Sequence, residues 1–400
     1  MKKPGQKILV LDAGTTGVKA FVFDETLSVQ VKAYQSIGID RPKNGWVEQN
    51  PQEILSACCR VLKKVVRSAK LSASDIAGLG MTNQRETVVA WDRKTGRSVG
   101  PALVWQDRRT AKFCRTLVRK HGDWIRRKTG LPPDPYFSAS KIRWILLSLP
   151  KAQKLLKEKR LIFGTIDSWL LFHLCKEHQH LTDETNASRT LLCDLHKHAW
   201  DPKLLELFGV PAETLPEIRP SSSLFGTMDA SLFGFSVPVL AVCGDQQASF
   251  VAAARHPTVQ NSSHVTKVTY GTGAFLVQGL GKIFKIADPF FTTLVPPESG
   301  SRYALEAKVG VCGARVEPYL KNPMRLRQVL RSIARDVHRS LPLLPSPPRF
   351  LIIDGGVTRD GLLAEIQSEI SSLPVISQTI FDGTALGTAM LVQEAWKKLN

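Results

Sequence analysis

Residues 7–24 read "KILVLDAGTTGVKAFVFD". Two β-rich apolar runs, 7–12 and 18–24, are joined by a Gly-Thr turn at 13–17, which predicts a β-hairpin. The device returns at 264–280, "HVTKVTYGTGAFLVQGL". Further on, "RFLIIDGGVTRDGLLAEIQSEI" (349–370) reads as a buried strand, a Gly-Gly turn and an amphipathic helix. Two Gly-Thr hairpins so far apart predict an α/β protein of two related domains facing one central cleft. The boundary falls near residue 250, giving domains 1–250 and 251–400. Between the hairpins, "NPQEILSACCRVLKKVVRSA" (50–69) has helical spacing of apolar residues, Asn50 as N-cap and Pro51 at the first helical position. "IAGLGMT" and "TVVAWD" predict strands, and 138–160 and 164–176 carry helical patterns. The segment 321–348 reads as a basic helix followed by a Pro-rich connection.

At 400 residues, 43% hydrophobic and 22% charged, the chain has the make-up of a soluble globular protein with room for two cores. No apolar run is long enough to span a bilayer. The basic start before residue 8 is followed by too short an apolar stretch for a signal peptide. Seven scattered cysteines, an odd count, fit reduced thiols in a cytoplasm. "HLCKEHQH" (173–180) lacks a second ligand cluster at finger-like spacing, so a metal site is not expected there. The formal net charge is +19, but the bases are dispersed among separate runs such as "QDRRTAK" and "RKHGDWIRRK". No DNA-reading helix or RNA-binding aromatic motif accompanies them. A solvated basic surface is expected, with neither nucleic acid nor membrane as a partner.

Some stretches carry chemistry. Gly14 and Gly17 let the backbone approach a phosphate closely, Thr15 and Thr16 add hydroxyl donors, and Lys19 adds a cation. Asp12, ending the strand, suits a Mg²⁺ ion, which prefers one or two carboxylates plus phosphate. No Walker A pattern is present, and a Gly-Thr hairpin can also be no more than a turn. "CGDQQAS" (243–249) places Asp245 at the carboxyl end of a strand, either to abstract a proton or to cap a helix starting at Gln246. In "GLGMTNQRETVVAWD" (78–92), Arg85 and Glu86 interrupt two apolar runs. They are either an ion pair closing a strand end or a grip on neighbouring hydroxyls, a cation donating to one oxygen and a carboxylate accepting from another.

In series, "DAGTTGVKAFVFD", "GWVEQNPQEI", "NQRET", "DPYFS", "TNASRT", "GDQQAS", "YGTGAF" and "IIDGGVTRDGLLAEIQSEI" resemble the glycerol kinases of the FGGY carbohydrate kinase family. The resemblance runs in family order to about residue 390. It implies two actin-like, ribonuclease-H-like domains around a central cleft, and transfer of the ATP γ-phosphoryl group to glycerol. It implies that Arg85, Glu86, Tyr136, Asp245 and Gln246 hold the glycerol hydroxyls, with Trp105 and Phe275 as apolar wall and Asp245 as general base. Asp12 would serve Mg²⁺. Thr15, Thr16, Gly17, Lys19 and Thr272 would meet the phosphates, and Gly313 and Gly356 would approach the nucleotide. The chain departs from the family at the nucleotide end. Lys19 stands where Arg is usual, and Gly17 replaces a hydroxyl residue. Glu317 and Asp360 stand where Gln and Asn are expected. A stretch after "PYLKN" (318–322) is absent and the chain ends soon after "TALGTAMLVQEAW", so the second domain is expected to be pared down. That leaves open a chain that binds glycerol or another polyol with little or no catalysis. A homo-oligomer is also left open.

Overall fold

The computed structural model describes residues 6–259, 265–271, 273–378 and 382–399. The chain divides into two compact units, Met1–Asp245 with Thr388–Asn400, and Gln246–Gly387.

In the first unit the opening hairpin is present as β1 (Lys7–Ala13) and β2 (Gly17–Phe23), antiparallel, with Asp12 opposite Lys19. β3 (Val29–Ser36) continues the meander. Beyond β1 the sheet adds β4 (Ile76–Asn83), then, out of chain order, β6 (Pro238–Gly244) and the edge strand β5 (Ser222–Thr227). β1, β4 and β6 run parallel, and Ala13, Asn83 and Gly244 lie level with one another. The carboxyl ends of three parallel strands therefore finish side by side.

Helix α1 (Pro51–Ser68) starts where the sequence places it, the Asn50 side chain accepting from the Gln52 amide. Its buried stripe of Ile54, Ala57, Cys58, Val61, Leu62 and Val65 has the spacing of a single helical face. That face packs on β2 and β3. β4 is buried along its whole length. At Gly80 a Cβ would come within 2.6 Å of the Thr388 side chain, so glycine is needed where the last helix passes.

The helical pattern of 138–160 is divided in two, α2 (Ser138–Ser148) and a second helix from Pro150 to Lys157. Proline has no amide hydrogen to continue the first helix but fits the first turn of the next, and Leu149 turns extended between them. A short strand, Leu161–Gly164, precedes α3 (Ile166–Leu174), and α4 (Glu184–Ala187) is a single turn.

The second unit repeats the plan. β7 (Thr266–Tyr270) and β8 (Gly273–Gly279) form the second hairpin. β9 (Phe291–Leu294) and β10 (Tyr303–Val311) extend it on one side. β11 (Leu351–Asp354) and β12 (Val375–Ser377) add parallel strands on the other. In both sheets an antiparallel three-strand meander is followed, past its first strand, by two parallel strands. This is the repeated α/β plan that the twin hairpins predict.

Helix α5 (Asp245–Ala254) leads in from β6. The basic helix is α6 (Pro323–Ser340), capped by Asn322, and it packs on α7 (Leu362–Ser371). The chain closes with α8 (Gly383–Leu399), whose residues from Thr388 onward belong to the first unit. Among the described residues no helix is long and apolar enough to cross a membrane.

Candidate active site

The polar knot of residues 83–87 sits at the carboxyl end of β4, beside the ends of β1 and β6. Ligands of parallel α/β sheets bind at such ends. Arg85 and Glu86 are both buried, at 3% and 2% exposure. Each has a partner from another element. Arg85 Nε lies 2.9 Å from Asp245 Oδ1, and Arg189 Nε donates to Glu86 Oε1 at 2.6 Å. The two residues of the knot thus answer to different counter-charges, each from another element. Glu86 has φ +61°, and the Thr87 amide donates to the Arg85 carbonyl across it at 2.7 Å. A three-residue turn with positive φ at a non-glycine centre is rare and strained, and such strain collects at functional sites.

The amides of the knot tie it to the first glycine loop. Gln84 donates from its backbone to the Ala13 carbonyl at 2.9 Å and from Nε2 to Gln49 Oε1 at 2.8 Å. Gln49 Nε2 in turn donates to the Thr15 carbonyl at 2.8 Å. Thr87 Oγ1 donates to Gln84 Oε1 at 3.0 Å and accepts from the Trp105 amide at 3.2 Å. Trp105 Nε1 then donates to Thr15 Oγ1 at 2.9 Å, and the Trp105 ring meets Tyr136 edge to face at 5.6 Å. Thr15, Arg85, Glu86, Trp105, Tyr136 and Asp245 are therefore held in one neighbourhood of the first unit by hydrogen bonds, ion pairs and a ring contact. Asp12 is paired across the hairpin with Lys19, Oδ2 to Nζ 3.9 Å.

Gly17 has a local reason. A Cβ there would lie 2.5 Å from the Tyr34 hydroxyl, which itself donates to the Thr16 carbonyl at 3.3 Å. Tyr34 fills the space that a side chain at 17 would use. Gly17→Ala is expected to cost at most about 1 kcal/mol, because the ring and hydrogen bond it must displace belong to the end of an exposed side chain. In a Tyr34→Ala background the same change should cost almost nothing. A double-mutant cycle in urea checks the coupling, and additive effects would remove it.

Beneath the knot, Asn83 and Asn186 exchange side-chain hydrogen bonds at 3.0 and 3.1 Å. Asn186 is set by Asp183, the N-cap of α4. Nearby, Asp167 accepts from the hydroxyls of Thr165 and Thr182. Burial, then the charge of Asp183, pushes its carboxyl up to about 6, from 3.8. The folded group therefore holds its proton at a pH where the unfolded one has lost it. Its contribution to stability is full below about 3.8 and is lost as pH rises through about 6. Asp167→Asn, which both threonine hydroxyls can accommodate, should gain in melting temperature over the parent as pH rises from 4 to 7. A constant difference across that range would refute the assignment.

In the second unit the predicted nucleotide residues gather around the second hairpin. The Gly313 amide donates to the Gly271 carbonyl at 2.8 Å, and Glu317 follows at the end of this short helix. The turn Gly356–Thr358 packs beside it. Gly355, at φ +105°, must be glycine, since a Cβ would sit 2.6 Å from the Tyr270 carbonyl carbon. Asp360 accepts from the Leu362 amide at 3.2 Å, which occupies one of its oxygens in starting α7. Gln246 is buried in α5 and Phe275 half-buried in β8. Thr272 lies outside the described residues.

The histidines of the run 173–180 all have backbone partners. His173, His178 and His180 each place a ring nitrogen on a backbone carbonyl, those of Gly96, Phe172 and Phe163. Among the described residues no cluster of metal-ligating side chains occurs. The sequence reading missed Gln49, Gln84, Lys141 and Arg189. Each sits in or beside a recognised stretch, but nothing local announces the partners of Gln49, Gln84 and Arg189, tens of residues away, or the turn into α2 that brings the Tyr136 and Phe137 carbonyls to Lys141.

The family model for the N-terminal domain of the FGGY carbohydrate kinases matches residues 7–252. The chain belongs to this family. Within it, the chain is 36% identical to a glycerol kinase of Koribacter versatilis, over 96% of this chain and 88% of that one. It is 35% identical to a glycerol kinase of Burkholderia multivorans, over 99% and 91%. The latter alignment runs to 462 positions against 400 residues here, so this FGGY chain lacks internal residues that its relative carries. Among solved structures, glycerol kinase of Plasmodium falciparum with ADP superposes with a TM-score of 0.88 at 27% identity, covering 99% of this chain and 90% of that one. A xylulose kinase from Lactobacillus acidophilus, 16% identical over 99% and 90%, shares the fold with a TM-score of 0.82.

Proposed function

We propose that the chain is a glycerol kinase, transferring the γ-phosphoryl group of ATP to glycerol to give sn-glycerol 3-phosphate and ADP. One observation carries this reading. Two buried charges of opposite sign, Arg85 and Glu86, stand on a strained turn beside the carboxylate of Asp245. A small polyol asks for this arrangement: a donor for one hydroxyl, an acceptor for another, and a base for the one that reacts.

In this reading Arg85 orients both glycerol and the Asp245 carboxylate. Asp245 accepts the proton as the hydroxyl oxygen bonds to the γ-phosphorus and the bond to the bridging oxygen of ADP breaks. Tyr136 and Gln246 hold glycerol hydroxyls with Arg85, Glu86 and Asp245, and Trp105 and Phe275 form the apolar wall for the carbon chain, the roles the family resemblance gives them. Thr15, Thr16, Gly17 and Lys19 meet the phosphates. Residues 1–250 supply the glycerol and phosphate-loop side. Residues 251–400, with Thr272, Gly313, Glu317, Gly356 and Asp360, supply the nucleotide side. Mg²⁺ neutralises phosphate charge in such transfers, and Asp12 fits it as a hard, partly exposed carboxylate oxygen donor at a strand end. The cysteines with described side chains are all free thiols, which suits a cytoplasmic setting.

A coupled assay for glycerol-dependent ADP release, with ATP and Mg²⁺, tests the proposal. Turnover is expected. Glycerol binding in a calorimeter without turnover would support instead the polyol-binding chain of little catalysis.

A further inference from the structure

We propose that Arg189 is a positioning residue for substrate selection, acting through Glu86 and Tyr136; this rests on the glycerol-kinase reading. Arg189 is fully buried, follows α4, and lies 103 positions from Glu86 in sequence. Its Nε donates to Glu86 Oε1 at 2.6 Å. Its guanidinium carbon lies 5.5 Å from the Tyr136 ring centre and 5.1 Å from that of Phe137. One rigid cation therefore fixes both a carboxylate and an aromatic ring that the polyol would meet.

The neighbouring helix completes the bracket. Ser138 Oγ donates to the Glu86 carbonyl at 3.2 Å, holding the strained turn from its backbone side. Lys141, also fully buried, donates from Nζ to the Tyr136 carbonyl at 2.7 Å and the Phe137 carbonyl at 3.3 Å. Tyr136 is thus gripped at its carbonyl by α2 and at its ring by Arg189. A carboxylate with one oxygen anchored by Arg189 can offer its remaining acceptor capacity in only a narrow range of directions. That restriction separates glycerol from analogues lacking one hydroxyl, since they forgo a hydrogen bond that the fixed carboxylate is set to accept.

Arg189→Met removes the charge and the fork while keeping much of the volume, and Arg189→Lys keeps the charge alone. Steady-state kinetics would be measured for glycerol, 1,2-propanediol and 1,3-propanediol, with ATP varied separately. For Arg189→Met the glycerol KM is expected to rise roughly 10- to 100-fold, with the ATP KM within about twofold. The preference for glycerol over the diols should narrow by a similar factor, with Arg189→Lys in between. Glu86→Gln should have a much smaller effect in the Arg189→Met background than in the parent. Equal losses toward all acceptors, or a raised ATP KM, would mean a purely structural role and overturn the proposal. If Arg189→Met does not fold, Arg189→Lys carries the test, and unchanged acceptor preference overturns it. A parent that binds glycerol without turning it over defeats the kinase reading alone; calorimetry then decides, with equal polyol affinity in parent and variant overturning the role of Arg189. A parent that does neither overturns both.

Discussion

Asp245→Asn is expected to lower kcat for glycerol phosphorylation by about 10²–10⁴-fold. The amide oxygen can still accept from Arg85, whose Nε stands 2.9 Å from the native carboxylate, so the geometry of the strand end should survive. An amide cannot take up the hydroxyl proton, and the loss should therefore fall on kcat, with the KM values for glycerol and ATP changed only a few-fold. The melting temperature should fall only modestly: the Asp245 side chain is 31% exposed, and although the buried Arg85 loses this counter-charge, the amide oxygen still faces its guanidinium. Unaltered turnover in this variant would show that Asp245 is not the base. A fall in stability matching the fall in rate would assign it a structural role instead.

The largest effect on stability is expected at Asp354→Leu, about 3–5 kcal/mol in urea unfolding. Asp354 ends β11 and is buried, with Lys267 Nζ 3.2 Å from its Oδ1 and the Ser249 hydroxyl bonded to its Oδ2. Lys267 is itself fully buried within β7. Removing the carboxylate takes its counter-charge from a buried ammonium and leaves it the neutral hydroxyl of Thr269. A side chain added at Gly383 would also collide with Asp354, so α8, α5 and two strands meet at this one carboxylate. Exchanging both members, Asp354→Leu with Lys267→Met, should recover most of the loss, since a buried pair replaced by apolar groups of similar volume is often neutral. If the double variant is as unstable as the single one, the defect lies in packing and not in the stranded charge.

Much of the fold is legible in the chain because its signals are local. The hairpins announce themselves by apolar runs around Gly-Thr turns, and α1 by Asn50, Pro51 and its apolar stripe. The repeat of the same hairpin was enough to expect a repeated sheet. The division of 138–160 at Pro150 is also a local signal, and a stricter reading of proline at a helix start finds it. The site was legible as a set of residues: the charged knot in an apolar strand and the Asp after Gly244 both break the surrounding pattern.

The sequence by itself determined the two hairpins, α1, the twin α/β plan and which side chains are out of place in a core. Only the tertiary structure decided what they pair with. Arg85 and Glu86 are neighbours in the chain, yet one is bonded to Asp245 and the other to Arg189. Gln84 reaches Thr15 through Gln49, and the Tyr34 ring lies over Gly17. The physical reason is one of range. Propensity, capping and periodicity act over a few residues, whereas the partner of a buried charge is chosen by which strand ends and helices the finished sheet brings within 3 Å, and no local pattern encodes that.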